Sequence, residues 1–190
     1  YNVLMHAKKI PSIIRPASRA DIPSLHTLIE SAYRGDSARR GWTHEADLLG
    51  GQRTDPVSLT EIIADPDQRI LLALDDTTRE PTIIGCVQIA RKQNRISYLG
   101  LLTVDPLRQT SGLGKHLIAA AEHAAATEFS ARTIEMTVIR QRTELIDYYR
   151  RRGYLPTGEE RPFPMGDERF GLPKTSDLTF VVLARNIATD

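Results

Sequence analysis

The segment LLTVDPLRQTSGLGKHLIAAAEHA, residues 101–124, constrains the fold of this chain more than any other. An apolar run ends at Asp105-Pro106 and a polar loop follows, after which Gly112 and Gly114 open a stretch with the periodicity of an amphipathic helix. Glycines at a helix start leave the backbone N–H groups accessible, and the helix dipole adds positive charge there, so the turn suits a phosphate. The segment therefore predicts a strand, a phosphate-binding turn and a long helix in direct succession.

The spacing of the glycines separates this turn from two common phosphate loops. A P-loop has four residues between its glycines and then Lys-Ser/Thr, whereas a single residue separates Gly112 from Gly114 here. A dinucleotide fingerprint has a third glycine at the position that Leu117 occupies. Two glycines also suit a tight strand-to-helix turn that binds nothing, so the turn alone leaves its ligand open.

Strand-like and helix-like segments alternate along the rest of the chain. Apolar and β-branched runs predict strands at Ile13–Arg15, Arg69–Leu74, Ile83–Ala90, Ile96–Val104, Thr133–Ile139 and Asp177–Ala184. Helical spacing predicts helices from Asp21 to Tyr33, over THEADLL, and at Val57–Ala64, Gly112–Phe129 and Thr143–Arg152. Because hairpins and helical crossovers both occur, we expect an α/β (α+β) fold with a single mixed sheet flanked by helices. We expect residues 1–12 to be a flexible N-terminal extension and residues 13–190 to form one domain.

Charge and cysteine content narrow the class of protein. A net charge of +1 argues against nucleic-acid binding through bulk phosphate attraction. The single cysteine, Cys86, lies in an apolar run, which predicts a buried inert thiol and a reducing, cytoplasmic setting. No apolar run approaches the ~20 residues of a membrane span, and the histidines lack metal-ligand spacing, so we expect no membrane and no metal.

A second signature lies further along the chain. After Val104-Asp-Pro, the hexapeptide Gln109-Thr-Ser-Gly112-Leu-Gly114 matches the Gln/Arg-x-x-Gly-x-Gly/Ala motif of the GNAT acetyltransferases. The segment ELIDYYRRRGY, residues 144–154, resembles the helix end that is written lYeklGF in that family. On these motifs and on the order of elements, the chain resembles the GNAT family of N-acetyltransferases. The resemblance implies a splayed sheet, acetyl-CoA as co-substrate and acetyl transfer to an amine of a small molecule or a protein.

The resemblance also implies which residues hold acetyl-CoA. The pantetheine arm of the family's cofactor pairs with backbone groups between two splayed strands, which maps onto Leu102, Thr103 and Val104. The pyrophosphate would be held by the backbone amides of Gln109, Thr110, Ser111, Gly112, Leu113, Gly114 and Lys115. Arg142 stands where many members have asparagine, and either a contact to cofactor or acceptor or a solvated cation at a helix start accounts for it.

Tyr149 matches the family tyrosine that is proposed to protonate the departing thiolate. A phenol with a reference pKa of ~10 can donate to a thiolate of similar basicity, although a core aromatic would also fit this position. Many members take a general base from the strand equivalent to Ile96–Val104, which contains no Asp, Glu or His here. The base must therefore lie elsewhere or be dispensed with.

The loop after the first helix is the predicted acceptor site. Trp42, Glu45 and Asp47 lie close together there, and they could hold a cationic amine by cation–π and charge contacts. A solvated surface helix whose carboxylates face water is the alternative. The sequence does not identify the acceptor.

A non-catalytic acyl-CoA-binding module stays open as a second function. A homodimer is compatible with the family, although no exposed stripe argues for one.

Overall fold

A mixed sheet of seven strands organises the chain, and the computed structural model describes residues 12–34, 45, 47–77, 79–109 and 112–188 of it. The strands are β1 (Ser12–Pro16), β2 (Leu49–Gly50), β3 (Gln68–Asp75), β4 (Thr82–Arg91), β5 (Ile96–Val104), β6 (Thr133–Ile139), β7 (Leu155–Pro162), β8 (Leu172–Pro173) and β9 (Thr179–Asn186). The α-helices are α1 (Ile22–Tyr33), α2 (Pro56–Ala64), α3 (Leu113–Phe129) and α4 (Thr143–Arg150). Short 3-10 turns lie at Arg19–Asp21 and Glu168–Phe170.

The sheet has the strand order β1-β3-β4-β5-β6-β9-β7, and β2 pairs with β8 apart from it. All its neighbours are antiparallel except β5 and β6, which run parallel. That parallel pairing joins Ile96–Tyr98 to Thr133–Glu135, and further along a cavity lies between the two strands. The predicted mixed, splayed sheet flanked by helices is confirmed.

A β-bulge in β5 precedes the gap. In its pairing with β4, Thr103 lies opposite Cys86 and Gly100 lies opposite Gln88, so two residues of β5 lie opposite the one residue between them on β4. The first of the two is Leu101, which has φ +48°. A bulge of this kind bends the strand and increases its twist, which carries β5 away from β6. A Cβ at Gly100, next to the bulge, would lie 2.9 Å from the Tyr98 ring.

The core lies on both faces of the sheet. The buried side of α3, including Leu113, Leu117 and Ala121, packs on one face, while α1 and α2 cover the other with Leu25, Ile29 and Leu59. The predicted α3 is confirmed, and its buried residues are those at helical spacing. This packing fixes the N-terminus of α3 beside the end of β5, where the site forms.

Several boundaries differ from the sequence-based expectation. Residues 43, 44 and 46 of the helix predicted over THEADLL lie outside the described residues; of the others, Asp47 and Leu48 lie in a turn and Leu49 begins β2, so none of them is helical. The strand β7 was not predicted because seven of its eight residues are exposed, which leaves no apolar alternation. The final strand begins at Thr179 rather than Asp177 and extends to Asn186. The extension predicted over residues 1–12 lies outside the described part apart from Ser12.

Gly85 of β4 permits the close approach of α3. A Cβ at Gly85 would lie 2.9 Å from both the Thr103 carbonyl oxygen and the Leu117 Cδ1. Because the carbonyl belongs to the neighbouring strand and cannot yield, we expect Gly85→Ala to lower the free energy of unfolding by roughly 1–3 kcal/mol. Chemical denaturation measures this change. The control Gly50→Ala, whose Cβ would meet its nearest atom at 3.7 Å, should cost much less, and equal losses in both variants would refute the packing argument.

Candidate functional site

Two cavities meet at the gap between β5 and β6. The first has a volume of about 300 Å³ and is lined by β5, the turn before α3, and α4. The second has a volume of about 660 Å³ and lies between β5, β6 and the loops after α1 and β7. Four residues line both cavities and so mark their junction: Tyr33, Leu102, Leu145 and Tyr149.

The end of β5 turns part of its backbone toward the gap. Asp105 donates its N–H to the Ile84 carbonyl of β4, and because hydrogen-bonding direction alternates along a strand, Leu102 and Val104 face away from β4. Both residues line the first cavity. Thr103 does not: it pairs with β4, its side chain is buried, and its hydroxyl donates to the Leu101 carbonyl at 2.9 Å. Two of the three predicted strand residues therefore line the cavity, and the third, Thr103, faces β4 instead.

The two glycines of the turn serve different needs. Gly112 caps α3 with φ +84°, a left-handed conformation that glycine adopts without strain, and a Cβ there would meet no described atom within 4 Å. A Cβ at Gly114 would lie 2.6 Å from the Tyr148 hydroxyl. The turn therefore needs a left-handed backbone at Gly112 and a residue without a side chain beside Tyr148 at Gly114.

The other turn residues also differ in placement. Gln109 lines the first cavity and donates its side-chain amide to the Val104 carbonyl at 3.3 Å. Leu113 is buried in the core and also lines the cavity, and Lys115 is exposed at its rim. Thr110 and Ser111 lie outside the described residues. Arg108 adds a further cation, although its guanidinium is paired with Asp75 at 2.7 Å.

Tyr149 lies at the junction and is 6% exposed. Burial raises its pKa well above the ordinary value, and the neighbouring tyrosines act in the same direction. Its ring packs edge-on against Tyr148 and Tyr154 at centroid distances of 5.3 and 6.0 Å. The structure thus brings the predicted catalytic residue to the point where the cavities meet, as a neutral phenol that keeps its proton.

Tyr33 is a junction residue that sequence reasoning treated only as the end of a helix. Its hydroxyl donates to the Leu102 carbonyl, which anchors the bulged strand to α1. Burial raises the pKa of Tyr33 to about 12, opposed by the nearby guanidinium of Arg53. The only sequence signal was an aromatic residue on the buried stripe at the end of α1, a position that core packing explains equally well.

Arginines dominate the ionisable wall of the second cavity. Its cationic residues are Arg53, Lys92, Arg142, Arg161 and Arg169. Its acidic residue within the described part of the chain is Glu45, which accepts a 2.7 Å hydrogen bond from Arg34. This cationic wall was not predicted, because its members come from distant parts of the sequence.

The predicted acceptor residues are only partly brought to this cavity. Glu45 lines it, but its carboxylate is bonded to Arg34 and lies 3.9 Å from Arg53. Asp47 is exposed and lines neither cavity. Trp42 lies outside the described residues. A site for a cationic amine built on these carboxylates therefore gains no support from their positions.

Arg142 has a definite environment. Its side chain is 6% exposed, lines the second cavity and donates from Nε to Glu144 at 2.8 Å. The reading as a solvated cation at a helix start is therefore wrong.

The remaining predicted features concern thiol, metal and membrane. Cys86 is fully buried, and burial raises the pKa of its thiol to about 12, so it is inert as predicted. Within the described ranges, no three His, Cys, Asp or Glu side chains are grouped as metal ligands. None of the helices in those ranges has the length and apolar character of a membrane span.

A splayed mixed sheet with a glycine turn at the head of a long helix defines a class of acetyltransferases. The family model described as "Acetyltransferase (GNAT) family" matches residues 25–154, and the chain belongs to this family. No curated protein sequence matches the chain.

Solved structures share the fold at low sequence identity. The ribosomal-protein-S18-alanine N-acetyltransferase of Escherichia coli has 14% identity and a TM-score of 0.67, over 95% of this chain and 96% of that one. The putative acetyltransferase yncA of Salmonella typhimurium, solved with its cofactor acetyl-CoA, has 13% identity and a TM-score of 0.66 over the same shares. A spermidine/spermine N-acetyltransferase of Vibrio cholerae has 15% identity and a TM-score of 0.62, over 93% of this chain and 95% of that one.

The buried phenol of Tyr33 predicts a loss of stability at high pH. Its pKa is raised to about 12 in the folded chain, against a reference of ~10 when unfolded. Between these values the unfolded state releases a proton that the folded state keeps, so the free energy of unfolding falls as pH rises. We expect Tyr33→Phe to reduce this slope by up to about 1.4 kcal/mol per pH unit. Urea unfolding from pH 8 to 12 tests this, and identical slopes in both proteins would contradict it.

Proposed function

We propose that this chain transfers the acetyl group of acetyl-CoA to an amine by direct attack in a ternary complex. The observation that carries the proposal is the junction, where Leu102 and Tyr149 line both cavities. A thioester reaching along the first cavity and an amine entering through the second would meet there. Bringing two reactants together in this way lowers the entropic part of the barrier.

The first cavity suits the pantetheine arm and the pyrophosphate of acetyl-CoA. The backbones of Leu102 and Val104 face the gap and would pair with the amide groups of pantetheine. The backbone amides of the turn, at the N-terminus of α3, would hold the pyrophosphate, which they favour by hydrogen bonding and by the helix dipole. Lys115 and Arg108 add positive charge at the rim.

The transfer forms a C–N bond and breaks the C–S bond. A neutral amine attacks the thioester carbonyl carbon, the sulfur leaves as a thiolate, and the amine releases its extra proton. Strand β5 contributes no Asp, Glu or His, and the Glu45 carboxylate is already bonded to Arg34 at 2.7 Å. Water in the second cavity is therefore our choice as the proton acceptor.

Tyr149 is proposed as the group that stabilises and protonates the thiolate. Its raised pKa keeps it protonated through the physiological range, and the phenolate left after donation would recover a proton from water before the next turnover. The apolar surroundings that raise the phenol pKa also raise that of a thiol beside it, and the two groups stay comparable in basicity.

Removal of the Tyr149 hydroxyl tests this role. General acid catalysis contributes about 10²–10⁴-fold, so kcat of Tyr149→Phe should fall by that factor while the Kd for acetyl-CoA changes little. Thiol release with an accepted amine measures kcat, and calorimetry measures Kd. The control Tyr154→Phe removes a hydroxyl from the same aromatic cluster. This hydroxyl donates to Glu122 at 2.8 Å, and Tyr154 lines neither cavity. Parental turnover by Tyr149→Phe would make Tyr149 a packing residue, and acetyl-CoA binding without thiol release for any amine would indicate a non-catalytic acyl-CoA-binding module.

The contact between Gly114 and Tyr148 predicts an effect on cofactor affinity. A methyl group at Gly114 would lie 2.6 Å from the Tyr148 hydroxyl and push that side chain within the first cavity. Because the displaced side chain would take space from the bound cofactor, a loss of about 1.4 kcal/mol specific to the bound state would weaken acetyl-CoA binding roughly ten-fold. The control Gly166→Ala also changes a glycine, at φ +89° in a loop outside both cavities. Unchanged affinity in a folded Gly114→Ala protein would remove the turn from the cofactor site.

A further inference from the structure

The charge of the second cavity points to the chemistry of the acceptor. Five cationic side chains and one carboxylate belong to its described wall. Several of these cations have carboxylate partners outside the cavity. Arg161 is paired with Glu135 and Glu159, Arg169 is paired with Asp167, and Arg142 is paired with Glu144. These pairs form the frame of the wall.

Unlike these three arginines, Arg53 has no carboxylate within hydrogen-bonding distance among the described residues. Its Nε is buried and has no hydrogen-bond partner among the described residues. Its ion-pair contact is with Glu45 Oε2 at 3.9 Å, beyond hydrogen-bonding distance, and that oxygen is already bonded to Arg34 at 2.7 Å. Glu30 accepts the backbone N–H groups of Arg53 and Thr54 at 2.7 and 2.9 Å, so its Oε1 is occupied by the backbone.

The Arg53 side chain is 27% exposed, but its Nε is buried, and a buried N–H group without an acceptor is costly unless a bound group supplies one. The guanidinium of Arg53 lies over the ring of Tyr33, 5.2 Å from its centroid, and both residues line the second cavity. The hydroxyl of the same ring contacts Leu102 at the junction. A group bound to Arg53 and an amine at the junction would thus both lie beside Tyr33.

We infer that the acceptor amine carries a carboxylate, which Arg53 binds, so that the substrate class is amino-acid-like rather than polyamine-like. This inference rests on the proposed acetyl transfer. The planar guanidinium matches the two oxygens of a carboxylate, and such a charge-assisted pair is strong when buried. The cationic wall would repel a polyamine, whose further ammonium groups find within the described wall only the Glu45 carboxylate, itself bonded to Arg34.

Matched amines test the inference with the unmodified protein. Thiol release from acetyl-CoA is measured for a panel of amino acids, for the primary amide of each, for the corresponding decarboxylated amine, and for spermidine. We expect the amino acid to exceed its amide in kcat/KM by roughly 10-fold or more, the effect of losing one partner of a partly buried charge pair. Equal or faster turnover of the amides, or of spermidine, would overturn the inference and leave the acetyl transfer standing. Failure of every amine in the panel would overturn the acetyl transfer and the inference with it.

A variant assigns the effect to Arg53. In Arg53→Gln, KM for the best amino acid should rise by a similar factor, while KM for its amide and the Kd for acetyl-CoA stay near parental values. The control Arg140→Gln removes an exposed arginine that is paired with Glu160 outside both cavities, and it should leave both substrates unchanged. An equal rise in KM for the amino acid and its amide would show that Arg53 maintains the shape of the pocket and does not bind the carboxylate, which would overturn its assignment. Should Arg53→Gln fail to fold, the comparison of acid and amide with the unmodified protein decides the question.

Discussion

The separation of β5 from β6 is the constraint on which the rest of this structure depends. The two strands pair in parallel over Ile96–Tyr98, and the bulge at Leu101 then bends β5 out of the ladder. On its other side β5 stays bonded to β4, so its free edge is held in place by a rigid neighbour. The hydroxyl of Tyr33 ties that edge to α1 at Leu102. A preorganised edge lets a ligand take the place of a strand without paying for backbone ordering.

The two cavities differ in what makes their walls positive. The first is lined by the N-terminal end of α3, where the helix dipole is positive, and by Lys115. The second uses guanidinium groups, which are long and mobile unless they are held by carboxylates behind them. The frame of ion pairs around Arg142, Arg161 and Arg169 therefore fixes the shape of a wall that would otherwise be flexible. Between the cavities the tyrosines form an apolar layer, which raises the pKa of Tyr33 and Tyr149 alike.

Local patterns allowed much of this architecture to be predicted. The strand, turn and helix at residues 101–129 are encoded by spacing within a single segment, and the family membership that they indicated is confirmed. Strand β7 escaped prediction because hydrogen bonding to β9 defines it, without an apolar face. Arg53 and Tyr33 are 20 positions apart in the sequence, yet their side chains meet in the structure. Contacts between distant positions of this kind leave no periodic signal in the sequence. The acceptor, the catalytic role of Tyr149 and a homodimer stay predictions.

The burial of Cys86 has a practical consequence for a protein that handles a thioester. The chain contains one cysteine, and it lies under the bulge with its thiol directed at the Leu101 carbonyl. A thiol so placed is unavailable to acyl donors and to maleimide reagents, since both react with the accessible thiolate. The native protein therefore serves as its own unreactive background for site-specific labelling. A cysteine introduced at the rim of either cavity would carry the only dye on the molecule, with no need to mutate the core.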